Sequence, residues 1–453
     1  MTIFSPGVRV HVVGVGGAGM SGLARLLNDS GALVSGSDLV DSAVLEELRA
    51  LGVTVTLGHD GANVANAGVV LWSPAVGDDN VELIAARHGG ATLMSRAEVL
   101  AELAGVRTLI GLSGTHGKTT AASMMVQVMA SDGRDAGRLL GTNVPGVGAN
   151  GHWGSGEVVV EVDESYGTFA LVRPWALGLL NVEADHLDHY GTLAALENAF
   201  ARLIDRTLGP VVIWSDDPGC RRAAQIVTRD VVRVGTGDDD PWRVRDVMLT
   251  RRNSTFILSG PDGDTTLTLQ VSGLHNVADA AVVAVLAHEV GVAPEAIRSG
   301  LANFTGAPRR FDLLGTWRGL DVYESYAHLP GEIAAILAAT RAAGYERVTA
   351  VFQPHRVTRT LSLVDDFAPA FDLATAVVVT DIYTAGEANP TGVTGAVIAE
   401  AIVRRGVVVT TTYCASLEDV PDVLETLHET SDVVLFLGAG DVASVAPRLP
   451  GMR

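Results

Sequence analysis

The sequence contains little cysteine, few basic residues and no long apolar run. Its two cysteines, Cys220 and Cys414, are too few and too far apart in sequence for a disulfide framework or a metal knuckle. No apolar run approaches the roughly 18 residues of a membrane span. Acidic residues outnumber basic ones by 52 to 32, and the charge of −20 speaks against nucleic acid or an anionic membrane as a partner. We expect a cytoplasmic protein without membrane insertion, whose basic groups concentrate where an anionic substrate binds.

Only one of the basic residues is a lysine, Lys118, and it lies in the segment GLSGTHGKTTAA. Backbone N–H groups at a helix start bind anions, and Gly114 and Gly117 allow the backbone to approach phosphate oxygens. Thr119 offers a hydroxyl group to a divalent metal. Because the chain uses arginine everywhere else, a compact charge on a flexible stem is evidently needed here. The segment predicts a phosphate-binding loop, although Leu112 stands where the pattern G-x-x-x-x-G-K-[ST] has glycine. The alternative is a glycine turn with a solvent-exposed lysine.

Apolar runs alternate with amphipathic helical patterns in three successive blocks. The runs are Val8–Val13, Leu109–Leu112, Val158–Val162, Leu177–Leu180, Arg347–Phe352, Ala376–Thr380 and Val433–Leu437. This alternation is typical of parallel sheets covered by helices. A polar region, Val244–Val271, predicts antiparallel strands inserted in the second block. We expect an α/β protein with a Rossmann-like domain at 1–106, a central P-loop-type ATPase domain with a mostly parallel sheet at 107–306, and a Rossmann-like C-terminal domain at 307–453.

A second glycine-rich segment, GVGGAG, lies in the first block between a predicted strand and a predicted helix. It contains Gly14, Gly16, Gly17 and Gly19, and Asp38 ends the next strand. This is a dinucleotide-binding fingerprint with its acidic ribose-binding residue, which taken alone favours an NAD-dependent dehydrogenase. A glycine loop at a helix start nevertheless binds any diphosphate, including that of a UDP-sugar. Since the chain has a second nucleotide loop, we favour a nucleotide-sugar and keep NAD as the alternative.

Acidic side chains end the two strands that follow the phosphate loop. Glu161, Asp163 and Ser165 lie in EVDES, and His186 lies in NVEADHLDHY. Strand ends beside a phosphate loop are where nucleotide enzymes place metal ligands, and carboxylate oxygens suit Mg²⁺. An imidazole is an unusual but workable addition. Glu161 and His186 are therefore candidate metal ligands, and the alternative is that the acids cap the following helices.

An ordered set of motifs spans the whole chain. The motifs are GVGGAGMSGLA, SGSD, GTHGKTT, EVDES, NVEADHLDHY, GLHN, RRFD, FQPHRVTRT, YTAGE and GAGD. In this order they resemble the Mur ligase family, whose phosphate loop has the shorter form G-T-x-G-K-[ST] that Gly114–Thr119 fits. The resemblance implies a three-domain enzyme whose first domain binds UDP, whose middle domain binds ATP, and whose last domain helps to bind the amino acid.

The activity that the resemblance implies is ATP-dependent ligation in peptidoglycan precursor synthesis. The most similar members join L-alanine to the carboxylate of UDP-N-acetylmuramate through an acyl phosphate, with Mg²⁺ or Mn²⁺. Members that add later residues generally use a carbamylated lysine after the D-H motif, and LENAFARLIDR contains no lysine. Two alternatives stay open, namely a ligase that attaches a whole peptide to UDP-muramic acid and a non-catalytic nucleotide-binding paralogue.

The resemblance also implies roles for individual residues. UDP-sugar contacts are expected from Gly14, Gly16, Gly17, Gly19, Ser37 and Asp38. ATP contacts are expected from Gly114, Thr115, His116, Gly117, Lys118, Thr119, Thr120, Asn276 and Arg310. Metal ligands are expected to be Thr119, Glu161 and His186, and catalytic residues to be Lys118, Glu161, His186 and Arg310. Substrate anions are expected to contact His355, Arg356 and Arg359, for which the alternative is a solvated basic helix start.

Two motifs depart from the family pattern. The family's HNxxNA reads HNVADA, with Asp279 in place of the second asparagine, and its DDYGHHP reads ESYAHLP, with Ser325, Ala327 and Leu329. An acid near the ATP phosphates would repel them, and serine for aspartate exchanges a charge-assisted hydrogen bond for a neutral one. These departures leave the predicted fold intact and bear on activity.

Overall fold

Three sheets covered by helices make up the computed structural model, which describes residues 2–73, 76–408 and 410–453. Each predicted domain contains one of the three sheets, and most strands are parallel. The prediction of an α/β protein with three domains is confirmed. The seven apolar runs singled out in the sequence all form strands, with bounds that differ from the prediction by at most a residue or so at either end.

The first sheet is wholly parallel, with the strand order β3-β2-β1-β4-β5. Its elements are β1 (Arg9–Val13), α1 (Ala18–Asp29), β2 (Leu33–Asp38), α2 (Ala43–Ala50), β3 (Thr54–Leu57), a 3₁₀ helix (Gly61–Val64), β4 (Val69–Trp72), α3 (Val81–Gly89), β5 (Thr92–Ser95) and α4 (Arg96–Val106). The strand order reverses direction between β1 and β4. Ligands bind at such a switch point, outside the carboxyl ends of the strands, and the GVGGAG segment lies there.

The second sheet has the order β15-β14-β13-β12-β11-β10-β6-β9-β7-β8. Its strands are β6 (Leu109–Ser113), β7 (Gly137–Leu139), β8 (Gly151–His152), β9 (Val158–Val162), β10 (Ala176–Leu179), β11 (Val211–Trp214), β12 (Val232–Gly235), β13 (Trp242–Leu249), β14 (Ser254–Gly260) and β15 (Gly263–Leu269). Its helices are α5 (Lys118–Ser131), a 3₁₀ helix (Ser165–Leu171), α6 (Leu187–Tyr190), α7 (Leu193–Arg206), α8 (Pro218–Ile226), α9 (Leu274–Glu289) and α10 (Pro294–Ala302). Strand β6 lies between β9 and β10, parallel to both, so their carboxyl ends meet at one edge.

The third sheet has the order β16-β17-β21-β18-β19-β20, in which only the β16–β17 pair is antiparallel among the described strands. Its strands are β16 (Arg310–Trp317), β17 (Leu320–Ser325), β18 (Val348–Phe352), β19 (Ala376–Val379), β20 (Thr410–Tyr413) and β21 (Val433–Leu437). Its helices are α11 (Pro330–Ala342), α12 (Val357–Ser362), α13 (Val364–Ala370), α14 (Ala396–Arg405), α15 (Val420–Leu427) and two 3₁₀ helices (His428–Thr430 and Val442–Arg448).

The central strands are buried at every position. This holds for β6, β9, β18 and β21, whose sequences are almost continuously apolar. Parallel strands are covered by helices on both faces, so each apolar side chain removed from water contributes about 1.5–3 kcal/mol. The rigid central strands position the loops at their carboxyl ends, and those loops carry the candidate site residues.

The described chain divides into two compact units. One contains the first sheet and most of the second, and the other consists of Gly306–Arg453 with the short segments Met248–Ser254 and Gln270–Leu274. None of the helices among the described residues has both the length and the apolar character that crossing a membrane requires.

Candidate active site

The phosphate loop joins β6 to α5. Gly114 has a φ of 144°, and Gly117, the residue before α5, has a φ of 83°. A Cβ atom on Gly114 would lie 3.0 Å from the carbonyl oxygen of Asn181, so this position is closed to other residues. The two glycines are thus required by backbone conformation and close packing, and they leave the N–H groups at the start of α5 facing outward from the turn.

The segment after β10 holds this loop in shape. The Asn181 side chain accepts a hydrogen bond from His116 N at 2.7 Å and donates one to His116 O at 3.0 Å. The Thr115 hydroxyl group accepts a hydrogen bond from Glu183 N at 2.9 Å. The His116 ring lies 3.7 Å from the Glu183 carboxylate. Thr115 and His116, both expected to contact ATP, therefore also anchor the loop to its neighbour.

Lys118 is directed back onto the loop and toward two acids. Its amino group donates hydrogen bonds to Gly114 O at 2.7 Å and to Glu164 Oε2 at 2.8 Å. Asp163 Oδ1 lies 3.8 Å from the same nitrogen. Glu164 is fully buried, and its Oε1 atom has no hydrogen-bond partner among the described residues. The lone lysine is thus held in place by one fully buried carboxylate, Glu164, and one partly exposed carboxylate, Asp163.

The three charges shift one another's protonation. Burial opposes the charge of Lys118, but the attraction of Glu164 and Asp163 outweighs it and raises the lysine pKa above its usual value. Burial also raises the pKa of Glu164, to about 6, against the attraction of Lys118. For Asp163 burial is outweighed by Lys118 and by the Ser165 N–H group, which hold its pKa at about 2. Asp163 is therefore the firmly ionised partner of the lysine.

Thr119 and Glu161, the two candidate metal ligands of this region, form a hydrogen-bonded pair of oxygen-bearing side chains. The Thr119 hydroxyl group donates to Glu161 Oε2 at 3.0 Å, and Glu161 Oε1 accepts a hydrogen bond from Gly141 N at 2.6 Å. Both side chains are buried. Mg²⁺ takes few protein oxygens and completes its octahedron with water and phosphate oxygens, so this pair fits it.

His186 groups with Glu164 and Asp185, and not with Glu161, among the potential metal-binding side chains of the described residues. Its Nε2 atom lies 4.0 Å from Glu164 Oε1 and 3.6 Å from Asp185 Oδ2. Each of the three side chains offers one potential metal-binding atom, and these three atoms all lie within 4.8 Å of one another. Two carboxylates and an imidazole suit a divalent cation such as Mg²⁺ or Mn²⁺. Glu164 and Asp185 were not predicted as ligands. Glu164 lies in the motif EVDES together with Glu161, and Asp185 lies in the motif NVEADHLDHY together with His186.

Helix α9 completes the surroundings of the phosphate loop. Asn276 and Asp279 are both 5% exposed on this helix. Both carboxylate oxygens of Asp279 lie 2.7 Å from the position that a Cβ atom on Gly117 would take. Thr120, the second threonine of α5, is buried. The departure from the family pattern at Asp279 thus lies directly against the loop.

In the first domain, the side chain of Asp38 contacts the glycine loop. Gly16 N donates to Asp38 Oδ2 at 2.8 Å, and a Cβ atom on Gly16 would lie 2.9 Å from the same oxygen. A Cβ atom on Gly19 would lie 3.4 Å from the guanidinium carbon of Arg96. Arg96 was not predicted as a site residue. It places a positive charge at the start of α1, after the turn in which Gly14 has a φ of 70°, and a helix start of this kind could hold a diphosphate.

Ser37 lies inside the first domain. Its hydroxyl group is fully buried and donates to Glu82 Oε2 at 2.6 Å. The carboxylate of Glu82 also accepts hydrogen bonds from Asn63 at 2.6 Å and interacts with His59 Nδ1 at 2.9 Å. Burial opposes the charge of Glu82, but the nearby His11 ring, 3.7 Å away, and hydrogen bonds from Ser37 and Asn63 outweigh it and lower its pKa to about 2. This network supports the strand end that carries Asp38.

In the second unit, His355 is surrounded by cations and aromatic rings. Arg359 Nη1 lies 3.2 Å from His355 Nδ1, and the His355 ring stacks on Tyr383 with ring centres 5.7 Å apart. The ring of His328 packs edge-on at 5.6 Å. Burial, together with the charges of His328, Arg359 and Arg356, lowers the His355 pKa to about 4. His355 is therefore neutral at neutral pH and accepts a hydrogen bond from Arg359.

Two further arginines of this unit stack on Tyr326. The guanidinium carbon of Arg310 lies 5.2 Å from the ring centre and that of Arg309 lies 4.9 Å from it. Arg309 also donates to Gly440 O at 2.9 Å. Arg356 has a φ of 70° and reaches Glu387 at 3.8 Å. His328, Tyr326 and Arg309 were missed as candidates, although the first two lie in the ESYAHLP motif and the third in RRFD.

Comparison with known proteins gives three consecutive family matches. The chain matches "Mur ligase family, catalytic domain" at residues 9–108, "Mur ligase middle domain" at residues 112–287 and "Mur ligase, glutamate ligase domain" at residues 309–440. It is 40% identical to the UDP-N-acetylmuramate--L-alanine ligase of Thermobifida fusca, over 97% of this chain and 96% of that protein.

Solved structures agree with these matches. The UDP-N-acetylmuramate-alanine ligase MurC of Thermotoga maritima superposes with a TM-score of 0.82 at 27% identity, covering 97% of this chain and 98% of that one. The murein peptide ligase of Psychrobacter arcticus shares the fold with a TM-score of 0.73 at 23% identity, covering 98% of each chain. Together these similarities define an ATP-dependent enzyme of the ligase class. The chain belongs to the Mur ligase family.

Proposed function

We propose that this chain is a cytoplasmic ATP-dependent ligase that joins L-alanine to the carboxylate of UDP-N-acetylmuramate, in the synthesis of peptidoglycan precursors. The observation that carries the proposal is the similarity, along 97% of the chain, to proteins named for this reaction. The partly buried Lys118 and the neighbouring acids at the phosphate loop would supply the groups that phosphoryl transfer needs. The expected domains are 1–106 for the UDP-sugar, 107–306 for ATP and 307–453 for the amino acid.

The reaction requires activation of the carboxylate. A carboxylate and an amine do not condense at neutral pH, so the sugar carboxylate first takes the γ-phosphoryl group of ATP and becomes an acyl phosphate. The amine of alanine then attacks the acyl carbon, and phosphate leaves from the tetrahedral intermediate. The protein's task is to hold the reactants in line and to stabilise negative charge that develops during transfer.

Lys118 and the start of α5 would carry most of that task. The amino group of Lys118 is compact and lies between loop carbonyls and Glu164, from which it can turn to the phosphates. Backbone N–H groups of the loop would bind phosphate oxygens. Thr119 and Glu161 would hold Mg²⁺, and Glu164, Asp185 and His186 would hold a second cation. When bound, these cations supply positive charge that offsets the charge on the phosphoryl oxygens.

The cationic cluster of the second unit would bind substrate anions. His355 is neutral and accepts a hydrogen bond from Arg359, whose guanidinium group brings a positive charge to the cluster that a carboxylate or phosphate would contact. Arg310 and Arg356 would act in the same way. In the first domain, Gly14, Gly16, Gly17, Gly19 and Asp38 would hold the UDP group, and Ser37 would support Asp38 from inside the domain.

The structure offers reasons to prefer this function over the two alternatives. The structural agreement is better with the alanine-adding ligase than with the peptide ligase, with TM-scores of 0.82 and 0.73. A protein that only binds nucleotide has no need of the Thr119–Glu161 pair. The first observation favours the alanine-adding ligase over the peptide ligase, and the second favours a catalytic protein over one that only binds nucleotide.

A coupled assay for ADP release tests the proposal. UDP-N-acetylmuramate and L-alanine are added to ATP, Mg²⁺ and enzyme, separately and then together, and the product is identified by mass spectrometry. ADP is expected only when both substrates are present, with a product heavier than the UDP-sugar by one alanyl residue. When a peptide is offered in place of alanine, ligation of that peptide with no use of alanine would support the peptide ligase. NADH turnover without ATP consumption would refute the proposal.

A further inference from the structure

Asp279 lies against the phosphate loop, one helical turn after Asn276 on α9. Both of its carboxylate oxygens lie 2.7 Å from the position of a Cβ atom on Gly117, so the carboxyl group covers the Cα atom of that glycine. Gly117 is the last residue before α5, whose first N–H groups have no partner within the helix and can bind an anion. Asp279 therefore occupies the edge of the site proposed for the ATP phosphates.

The charged groups around this contact are engaged with other acids. Lys118 donates to Glu164 at 2.8 Å, and His116 lies 3.7 Å from Glu183. His275 lies one turn earlier on α9 itself. Asp279 is 5% exposed, and burial raises its pKa well above the usual value of an aspartate. The environment of Asp279 thus favours a neutral carboxylic acid.

We propose that Asp279 is a positioning residue of the ATP site that works as a neutral acid, and that its ionisation weakens ATP binding. A protonated carboxyl group presents one donor and one acceptor, as an asparagine amide does. An ionised carboxyl group presents only acceptors and brings a negative charge to the phosphates. The aspartate thereby replaces the asparagine of the family pattern at low pH and opposes nucleotide binding at high pH. The inference rests on the proposed ATP-dependent function.

Calorimetric titration with a non-hydrolysable ATP analogue and Mg²⁺, between about pH 6 and about pH 9, tests the inference. The wild-type Kd is expected to rise by up to about tenfold per pH unit above the pKa of Asp279. Asp279→Asn keeps the donor and the acceptor but cannot ionise, so its Kd is expected to follow only the titration of the nucleotide. Asp205→Asn, on α7, is the matched control and is expected to keep the wild-type pH dependence.

Each outcome decides a separate point. Identical pH profiles for the wild type and Asp279→Asn would overturn the inference while the ligase function stands. Failure of both proteins to bind the analogue at any pH would overturn the proposed function together with the inference. Infrared difference spectra of the wild type against Asp279→Asn give a readout without nucleotide. A carboxylic-acid band that disappears as the pH rises is expected, and its absence at every pH would refute the neutral acid.

Discussion

The amino group of Lys118 and the carboxylate of Glu164 form a partly buried ion pair, with Nζ 2.8 Å from Oε2. The Lys118 side chain is 15% exposed and that of Glu164 is fully buried. The pair stands where the proposed ATP phosphates would need the lysine, so phosphate oxygens must compete with Glu164 for it. Asp163, 3.8 Å from the same nitrogen, partly balances the charge of the lysine.

Lys118→Arg is expected to lower turnover by roughly 100-fold or more, which corresponds to about 3 kcal/mol of transition-state stabilisation. The variant keeps the charge, but the planar guanidinium group does not fit between Gly114 O, Thr115 O and Glu164. Steady-state ADP release measures the effect, and thermal unfolding of the variant checks that the fold is retained. Turnover close to that of the wild type would show that the identity of this basic residue is incidental.

Gly117→Ala is expected to abolish measurable ADP release. The alanine would have to adopt a φ of 83°, and its Cβ atom would lie 2.7 Å from the Asp279 carboxylate. Gly133→Ala is the matched control, because Gly133 has a φ of 74° but no heavy atom within 4 Å of its added Cβ atom. The control is expected to lose only about 1 kcal/mol of stability and to keep its activity. Equal activity of the two variants would contradict the proposed role of the loop.

Glu82→Gln is expected to destabilise the protein by about 3 kcal/mol at neutral pH, because the folded state lowers the pKa of Glu82 from 4.5 to about 2. A lowered pKa means that the stabilisation is complete above about pH 5 and is lost as the pH falls toward 2. Urea unfolding of both proteins across this range measures the difference, which should shrink with falling pH. Glu46→Gln, an exposed change on α2, is the control and should cost a few tenths of a kcal/mol. A difference that does not change with pH would refute this account.

Arg359→Ala is expected to raise the pKa of His355 from about 4 toward its usual value, since it removes one of the nearby cations that oppose protonation. Proton NMR titration of the histidine rings measures the shift. Burial and the ring of His328 remain in the variant, so the pKa should stay below that of an exposed histidine. A His355 pKa that does not change on substitution would show that Arg359 is not its effective neighbour.

Much of the site could be predicted from local sequence. The strand, turn and helix around Lys118 follow from an apolar run, two glycines and a stretch of small residues, each of which determines its own backbone conformation. The acids after β9 and β10 could be assigned to one edge of the sheet because parallel strands bring their carboxyl ends together. The three-domain α/β class follows from the repeated alternation of apolar runs and helices.

The amino-acid sequence by itself determined where the helices and strands lie along the chain and which types of side chain follow each strand. Only the tertiary structure decided which of these residues meet: Glu161 contacts Thr119, whereas Glu164 contacts Lys118 and lies beside His186. It also decided that Ser37 points into the domain and that Asp279 covers Gly117. The reason is physical. Backbone conformation depends on neighbours along the chain, but the direction and protonation of a side chain beyond a strand end depend on burial and on charges brought together by packing.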